Sequence, residues 1–354
     1  MAWRVRAKLI TIVGGLVFFS GCTSNQSYIS DFDNLKNMIK ESTYIALSTS
    51  AEEYAPDVTI KLFDEQGELS FEGVLKDYHA QNSSFYNGYI YIYGGDKALL
   101  VDTLNLSTYV IDTDSDASIS DAFVDVNRAY FILNYGYNKD KKQFESGVCY
   151  VDLGKEQNFT ENNFNCVNLK NSVIDLYVDD ESIVASFSDF GTLQEYLIFF
   201  DKNLSVLEQT NIPSKSSYIL GKNHEDYIVY NLNDYYLTEN KLTLPTPYIP
   251  DLFSFVYNFG NYYIRMNYYS DNQQIIKECI VDGELSSDLL IDTQALGVNK
   301  IYVVSPSDNN YVPIEISQDN GTFGTLYDVK NKVFDEFYYE LSDNEKLIGL
   351  YKLN

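Results

Sequence analysis

The chain has 354 residues, with 51 acids against 25 lysines and arginines, giving a formal net charge of −26. A surface of that sign repels phosphate backbones, so nucleic acid is excluded as a partner, whereas basic partners and cations are attracted. Arginine occurs only at Arg4, Arg6, Arg128 and Arg265 and histidine only at His79 and His224, which excludes an arginine cluster and a three-histidine metal site and leaves little for general-base catalysis.

The first element is an export signal. Arg4, Arg6 and Lys8 precede an apolar run from Leu9 to Phe19 with no acid among them, the charged-then-apolar order of a secretory leader. Eleven helical residues would reach only about 16 Å, roughly half a bilayer's hydrocarbon thickness, so the run is too short to span a membrane. The run closes on Phe19-Ser20-Gly21-Cys22, which resembles the lipobox of bacterial lipoproteins. That resemblance implies cleavage before Cys22, a diacylglycerol on its thiol and usually an acyl chain such as palmitate on the new amino terminus. Several acyl chains make such anchoring stable, at about 0.8 kcal/mol per buried methylene. Thr23 stands where lipoproteins kept in a Gram-negative inner membrane typically carry Asp. The resemblance therefore implies an envelope address: the outer membrane of a Gram-negative host, or the outer face of the cell membrane of a Gram-positive one. Loss of residues 1–21 removes three cations and no acid, which lowers the net charge from −26 to −29.

Residues 22–42 read as a lipidated tether ending in one short helix, with Ser30 and Asp33 as a capping pair and Phe32, Leu35, Met38 and Ile39 at helical spacing. From residue 43 to 354 no helical period recurs. Strand-like runs alternate with Asn, Asp, Gly and Ser. Two or three apolar residues ending in an acid and a polar turn recur at Leu62-Phe63-Asp64, Leu100-Val101-Asp102, Tyr150-Val151-Asp152, Phe199-Phe200-Asp201, Leu237-Thr238-Glu239, Ile280-Val281-Asp282 and Leu326-Tyr327-Asp328. Six intervals cover the 264 residues from Asp64 to Asp328, 44 apiece, about the length of a four-stranded propeller blade. A second turn recurs upstream within the units, for example at Tyr86-Asn87-Gly88, Val126-Asn127-Arg128 and Asp308-Asn309-Asn310. Two hairpins per unit make four strands. The first unit is one strand short, while Lys346–Leu353 is one strand too many at the other end. These observations predict an all-β, seven-bladed β-propeller of four-stranded blades, closed by the C-terminal strand completing the first blade.

In period and pattern the chain resembles the propeller superfamily, without the Trp-Asp endings of one of its families or the paired glycines of another. Ser317-Gln318-Asp319-Asn320-Gly321-Thr322-Phe323 looks like a shortened Asp-box of sialidase-type propellers. The arginine triad of those enzymes has no counterpart here. The anchor and general fold are also similar to those of the propeller lipoprotein of the bacterial outer-membrane assembly machine, without its Trp-bearing repeats.

Candidate sites are few. Cys149 and Cys166 lie in strand-like runs flanking a polar loop and form either a disulfide or two buried thiols. Asp112, Asp114 and Asp116 have the alternation of a calcium loop, but Ala117 replaces the turn glycine and no Glu stands at the twelfth place. A solvated interblade loop is the first reading and calcium the alternative. Asp121, Asp125, Asp175 and Asp179 fall on predicted innermost strands, where they line either an acidic cation-binding pore or an ordinary wet channel. Tyr89, Tyr91 and Tyr93 share one strand face, for sugar stacking or for packing between blades. The acids ending the triplets read as turn formers rather than ligands. No convergent nucleophile, base and oxyanion set is visible. The expected function is a non-catalytic envelope propeller binding a protein or polysaccharide, with no cofactor. The alternatives are a calcium-dependent hydrolase or lactonase-like propeller, and a component of an outer-membrane assembly complex.

Overall fold

A computed structural model describes residues 27–353, apart from 30–31, 54–55, 114–116, 142, 155–156, 190–193, 213–216, 224–225, 232–233, 238–241, 246–252, 260–261, 269–271 and 282–283. Cys22, the leader, Ser30, Asp114, Asp116 and His224 lie outside the described residues. No described helix is long and apolar enough to cross a membrane.

Among the described residues the strands form seven sheets. Six are blades, each an antiparallel meander from one contiguous stretch. The first blade comprises Asn82–Tyr86, Tyr89–Tyr93, Lys97–Asp102 and Ser107–Asp112; the second, Ser118–Asp125, Arg128–Asn138, Gln143–Asp152 and Asn165–Leu169. The third comprises Ser172–Val178, Ile183–Asp189, Gln194–Phe200 and Val206–Ile212; the fourth, Ser217–Asn223, Asp226–Asn231, Asp234–Leu237 and Leu242–Pro245. The fifth comprises Phe253–Asn258, Tyr263–Tyr268, Gln273–Val281 and Glu284–Asp292; the sixth, Lys300–Val303, Tyr311–Gln318, Gly321–Asp328 and Val333–Leu341. The remaining sheet is composite: Glu345–Lys352 pairs antiparallel with Tyr44–Ser50, which continues to Val58–Phe63 and Leu69–Leu75. The sequence predicts seven like blades. Six have the contiguous build, and the composite sheet differs because both chain ends supply it.

The middle strands of the blades carry apolar side chains on both faces, because each sheet is packed on both sides. In Arg128–Asn138, Ala129, Phe131 and Leu133 join the first blade's core, while Tyr130 and Ile132 join the third's. Ile45 and Leu47 of the composite sheet meet Ile90 and Ile92 of the first blade. Val184 meets Val229 between the third and fourth blades, Ile228 meets Tyr263 between the fourth and fifth, and Ile264 meets Ile314 between the fifth and sixth. Leu326 and Phe337 of the sixth blade return to Tyr44 and Leu350 of the composite sheet. The packing is therefore cyclic.

Four of the recurrent acids, Asp64, Asp102, Asp201 and Asp328, make turns; Asp152 instead accepts from Arg128, and Glu239 and Asp282 lie outside the described residues. Asp64 accepts the amides of Gln66 and Glu68, Asp102 those of Leu104 and Asn105, and Asp201 those of Asn203 and Ser205, all at 2.8–2.9 Å. This is the role expected of Asp before a turn. Two outer edges are covered by two-residue parallel strands, Ser27–Tyr28 on Leu69–Leu75 and Asn158–Phe159 on Ser107–Asp112, so they offer less open backbone for aggregation. Helix α1, Phe32–Lys40, buries Leu35 and Ile39 between the composite sheet and the first blade. A single turn, α2, Thr293–Leu296, follows the fifth blade. Asp292 caps its start and Gly297 at φ 68° ends it, a backbone conformation suited to glycine.

Two covalent or ionic ties sit inside this frame. Cys149 and Cys166 lie opposite each other on paired strands of the second blade and form a disulfide, 17 residues apart in sequence. Arg265 is 4% exposed and donates from Nε and Nη2 to Glu278 Oε1 at 3.0 and 2.6 Å, with Glu278 fully buried. Its neighbours Ile264 and Met266 pack toward the sixth blade, so Arg265 faces the fourth.

Closing a loop of this size stabilises a fold by about 3 kcal/mol. Replacing both Cys149 and Cys166 by alanine should cost about that much in denaturant unfolding, and an unchanged midpoint would show that the bond contributes nothing. Arg265→Met strands the Glu278 charge and should cost about 3–5 kcal/mol, read in the same experiment.

Candidate functional site

The central channel is walled by the first strand of each blade and by Glu345–Lys352. Four of these inner strands carry a bulge, leaving Ser120, Ile174, Leu220 and Ile348 as the extra residues. The residue after each bulge is Asp121, Asp175, Gly221 and Gly349 respectively. A bulge breaks the ladder locally.

Asp121 and Asp175, next to two of these bulges, hold backbone amides of their own and neighbouring inner strands. Asp121 accepts the amide of Ala122 at 2.9 Å and that of Leu176 in the next blade, and Asp175 Oδ2 accepts the amide of Ile219 in the blade after that at 2.6 Å. The charges of the two carboxyl groups also act on each other across the blade boundary, which favours a proton on one of them. Both are half-buried in the channel wall. Burial, and for Asp121 also the charge of Asp175, pushes both up: Asp175 to about 7 and Asp121 well above its usual range. At the Gly349 position a Cβ would stand 2.2 Å from Ser83 Oγ. Ser83 there donates to the Ile348 carbonyl at 2.6 Å, so glycine permits the close approach of the first blade.

One end of the channel has a floor. Tyr86 of the first blade donates to the Asn258 carbonyl of the fifth at 2.6 Å. The turn at 304–310 of the sixth blade reaches the first: Phe85 and Ser307 form a parallel bridge, and Asp308 Oδ2 accepts the Asn87 amide at 2.6 Å. Burial, first of all, raises the phenols of Tyr86 and Tyr93 beside it.

The remaining expected residues do not join the pair. Asp125 bonds Lys202 at 2.6 Å, and Lys202 also reaches the Asp179 carbonyl. Asp179 holds the amides of Glu181 and Ser182 at 2.8 Å and the Tyr227 hydroxyl at 2.9 Å. These two therefore fasten the second and third blades at their turns rather than forming a four-acid pore. Asp112 lies 3.3 Å from Lys97 across its hairpin; its proposed companions Asp114 and Asp116 fall outside the described residues. No group of three His, Cys, Asp or Glu side chains able to hold a metal occurs among the described residues. His79 lies 3.5 Å from Asp96. Tyr91 and Tyr93 are buried, and Tyr91 accepts the Val124 amide at 2.9 Å, so the tyrosine stripe packs the first blade on the second. The Asp-box-like run is the hairpin joining the second and third strands of the sixth blade.

Sequence reasoning missed the tip of the long hairpin in the second blade. Tyr135, Tyr137 and Phe144 are 41, 51 and 37% exposed, with Tyr137 and Phe144 edge to face at 5.2 Å. Strand direction puts this tip on the face opposite the floor. A bulge between Asn134 and Gly136 breaks the period of two there, a feature of the register that the residue types do not announce.

No family model matches the chain, and no curated protein matches it. Among solved structures it is similar to the acylaminoacyl peptidase of Pyrococcus horikoshii, with 10% identity over 85% of this chain and 50% of that one and a TM-score of 0.52. It thus spans half the length of that protein. AztD of Citrobacter koseri aligns with 10% identity over 87% of this chain and 97% of that one, TM-score 0.45. Hsv2 of Kluyveromyces lactis aligns with 10% identity over 87 and 100%, TM-score 0.42. Identities this low speak to fold alone. The protein belongs to the structural class of all-β propellers with four-stranded blades.

The carboxyl pair makes stability depend on pH. A carboxyl held near 7 when folded and near 4 when unfolded keeps its proton only in the folded state, so stability falls as pH rises from about 4 to 7. Asp175→Asn retains an acceptor for the Ile219 amide but cannot ionise. Urea midpoints across this range should decline less for the variant than for the parent, and parallel curves would refute the retained proton.

Proposed function

We propose that the mature protein is a lipid-anchored envelope propeller that binds a protein or extracellular polymer and does not turn it over. The Cys22 lipobox supports the anchor and the envelope address. The observation that carries the binding reading is the division of labour along the axis. Asp121 and Asp175 are engaged by backbone amides of neighbouring blades, Asp125 and Asp179 by turns and lysines, and the channel floor is bridged. Exposed aromatic rings stand instead at the opposite face. Such rings offer a rigid apolar body at low entropic cost, the usual anchor of a binding surface. Six contiguous blades and the composite sheet together make the platform.

Cys22→Ala should abolish incorporation of an alkyne-labelled palmitate and move the protein from the membrane to the soluble fraction; retention in the membrane would sink the anchor. The joint substitution Tyr137→Ser and Phe144→Ser should weaken binding of the fluorescently labelled soluble domain to host cell surfaces by about tenfold or more. Unaltered binding would remove the hairpin from the reading. Melting curves with EDTA and then calcium should superimpose, and a calcium-dependent rise would favour a metal enzyme instead.

A further inference from the structure

Sheets radiating from an axis diverge toward the rim, so each interblade wedge must be filled or left open. Between the composite sheet and the first blade the filler is α1, with Leu35 and Ile39 buried and Phe32 and Met38 partly so. Between the first and second blades it is the Asn158–Phe159 excursion, which buries Phe159. Between the fifth and sixth blades, Ile264, Met266, Ile275 and Ile291 pack with Val312, Ile314 and Tyr327, and the connection at the rim forms the single turn α2. Beside α2, on the sixth-blade face that turns toward the fifth, a cleft of about 630 Å³ remains, lined by Leu296, Val298, Ile316, Phe323, Phe334 and Tyr338. A second hollow of about 390 Å³ adjoins it and shares Leu296 and Phe334. Exposed apolar side chains gather here: Leu289 is 51% exposed, Leu296 44% and Tyr338 71%.

We propose that this wedge is the docking groove for a short amphipathic helix of a partner polypeptide, with an apolar stripe and a basic flank. It rests on the binding reading above but uses a different surface. The occupant follows from the molecule's own example, since the corresponding wedge beside the composite sheet is filled by a helix with apolar residues at 32, 35, 38 and 39. A helix is about 10–12 Å across with side chains, a width that needs an open wedge rather than a pocket. The basic flank follows from charge. Glu340 lines the cleft and Asp292 the adjoining hollow, while Lys332 on the same wall is held by Asp288 at 2.6 Å. The whole chain carries −26, so a cationic helix is also drawn toward it.

The probe is a labelled synthetic peptide of about 15 residues, long enough for a marginal helix, with leucine at i, i+3, i+4 and i+7 spacing and lysine on the flanks. A scramble of the same composition is its control. Anisotropy titrations against the soluble domain at physiological salt should show the patterned peptide binding about tenfold or more tightly than the scramble. Leu296→Asp and, separately, Tyr338→Asp should each remove that preference. Both side chains are exposed, and an unchanged melting curve for either variant is enough to read the result. Equal binding of the two peptides, indifference to both substitutions, or a concentration-dependent dimer of the domain that Leu296→Asp dissolves would overturn the proposal. The hairpin pair Tyr137→Ser and Phe144→Ser should leave peptide binding intact, so failure here and failure of the surface-binding reading are separable.

Discussion

Pairing of the last strand with the first long one is the constraint on which the rest depends. Glu345–Lys352 runs antiparallel to Tyr44–Ser50, and without it the composite sheet would lose its inner wall and the sixth blade its second neighbour. The seam is fastened at both ends by polar groups. At one end Glu345 accepts from Ser48 at 2.5 Å, from Lys61 at 3.3 Å and from the Tyr339 hydroxyl. At the other, Lys352 pairs with Asp335 at 2.9 Å and lies over the rings of Tyr44 and Tyr311. Both networks include residues of the sixth blade, so they tie the N-terminal strands to that blade and to the final strand that follows it. Non-local pairing of this kind must overcome loop-closure entropy before it stabilises anything, which is why side chains reinforce the backbone ladder there.

The inner ring meets a different demand. Blades converge at the axis, and four inner strands carry a bulge that breaks the ladder locally. An unanswered buried amide costs about 1–3 kcal/mol. Asp121 and Asp175 answer such amides across blade boundaries, at the cost of crowding two carboxyl groups. A proton on one of them relieves the repulsion between the two. Where the equivalent residue is Gly349, the first blade comes close enough for Ser83 to reach the Ile348 carbonyl itself. Side-chain clasp and close approach are thus two solutions to one geometric problem.

That distinction explains what was legible in the sequence. The blade period was readable because the Asp before each turn is a local requirement: Asp64, Asp102 and Asp201 bind amides two to four residues away. The Cys149 and Cys166 pairing was readable as a possibility because one hairpin register sets both residues opposite each other. The channel was only half readable. Period two placed Asp121 and Asp125 on one strand face, but the bulge at Ser120 and the turn contacts of Lys202 assign them separate tasks, and neither is local. The aromatic hairpin tip was invisible because Tyr135, Tyr137 and Phe144 have the composition of any strand here. Only their extension beyond the neighbouring strands exposes them.

The same geometry links architecture to recognition. A closed ring leaves few free backbone edges, and the first two rim edges are covered by short parallel strands, so binding by strand addition has little to work with on that side. What a rigid ring leaves available is shape: the loops at its open face and the wedges at its rim. The filled wedges contain segments that leave the blade meander, α1 before it and the Phe159 excursion within it, each ordered by apolar residues it could not bury alone. A wedge that the chain does not fill presents the same apolar walls to solvent. Contiguous exposed apolar surface on a soluble protein is the usual mark of an interaction site.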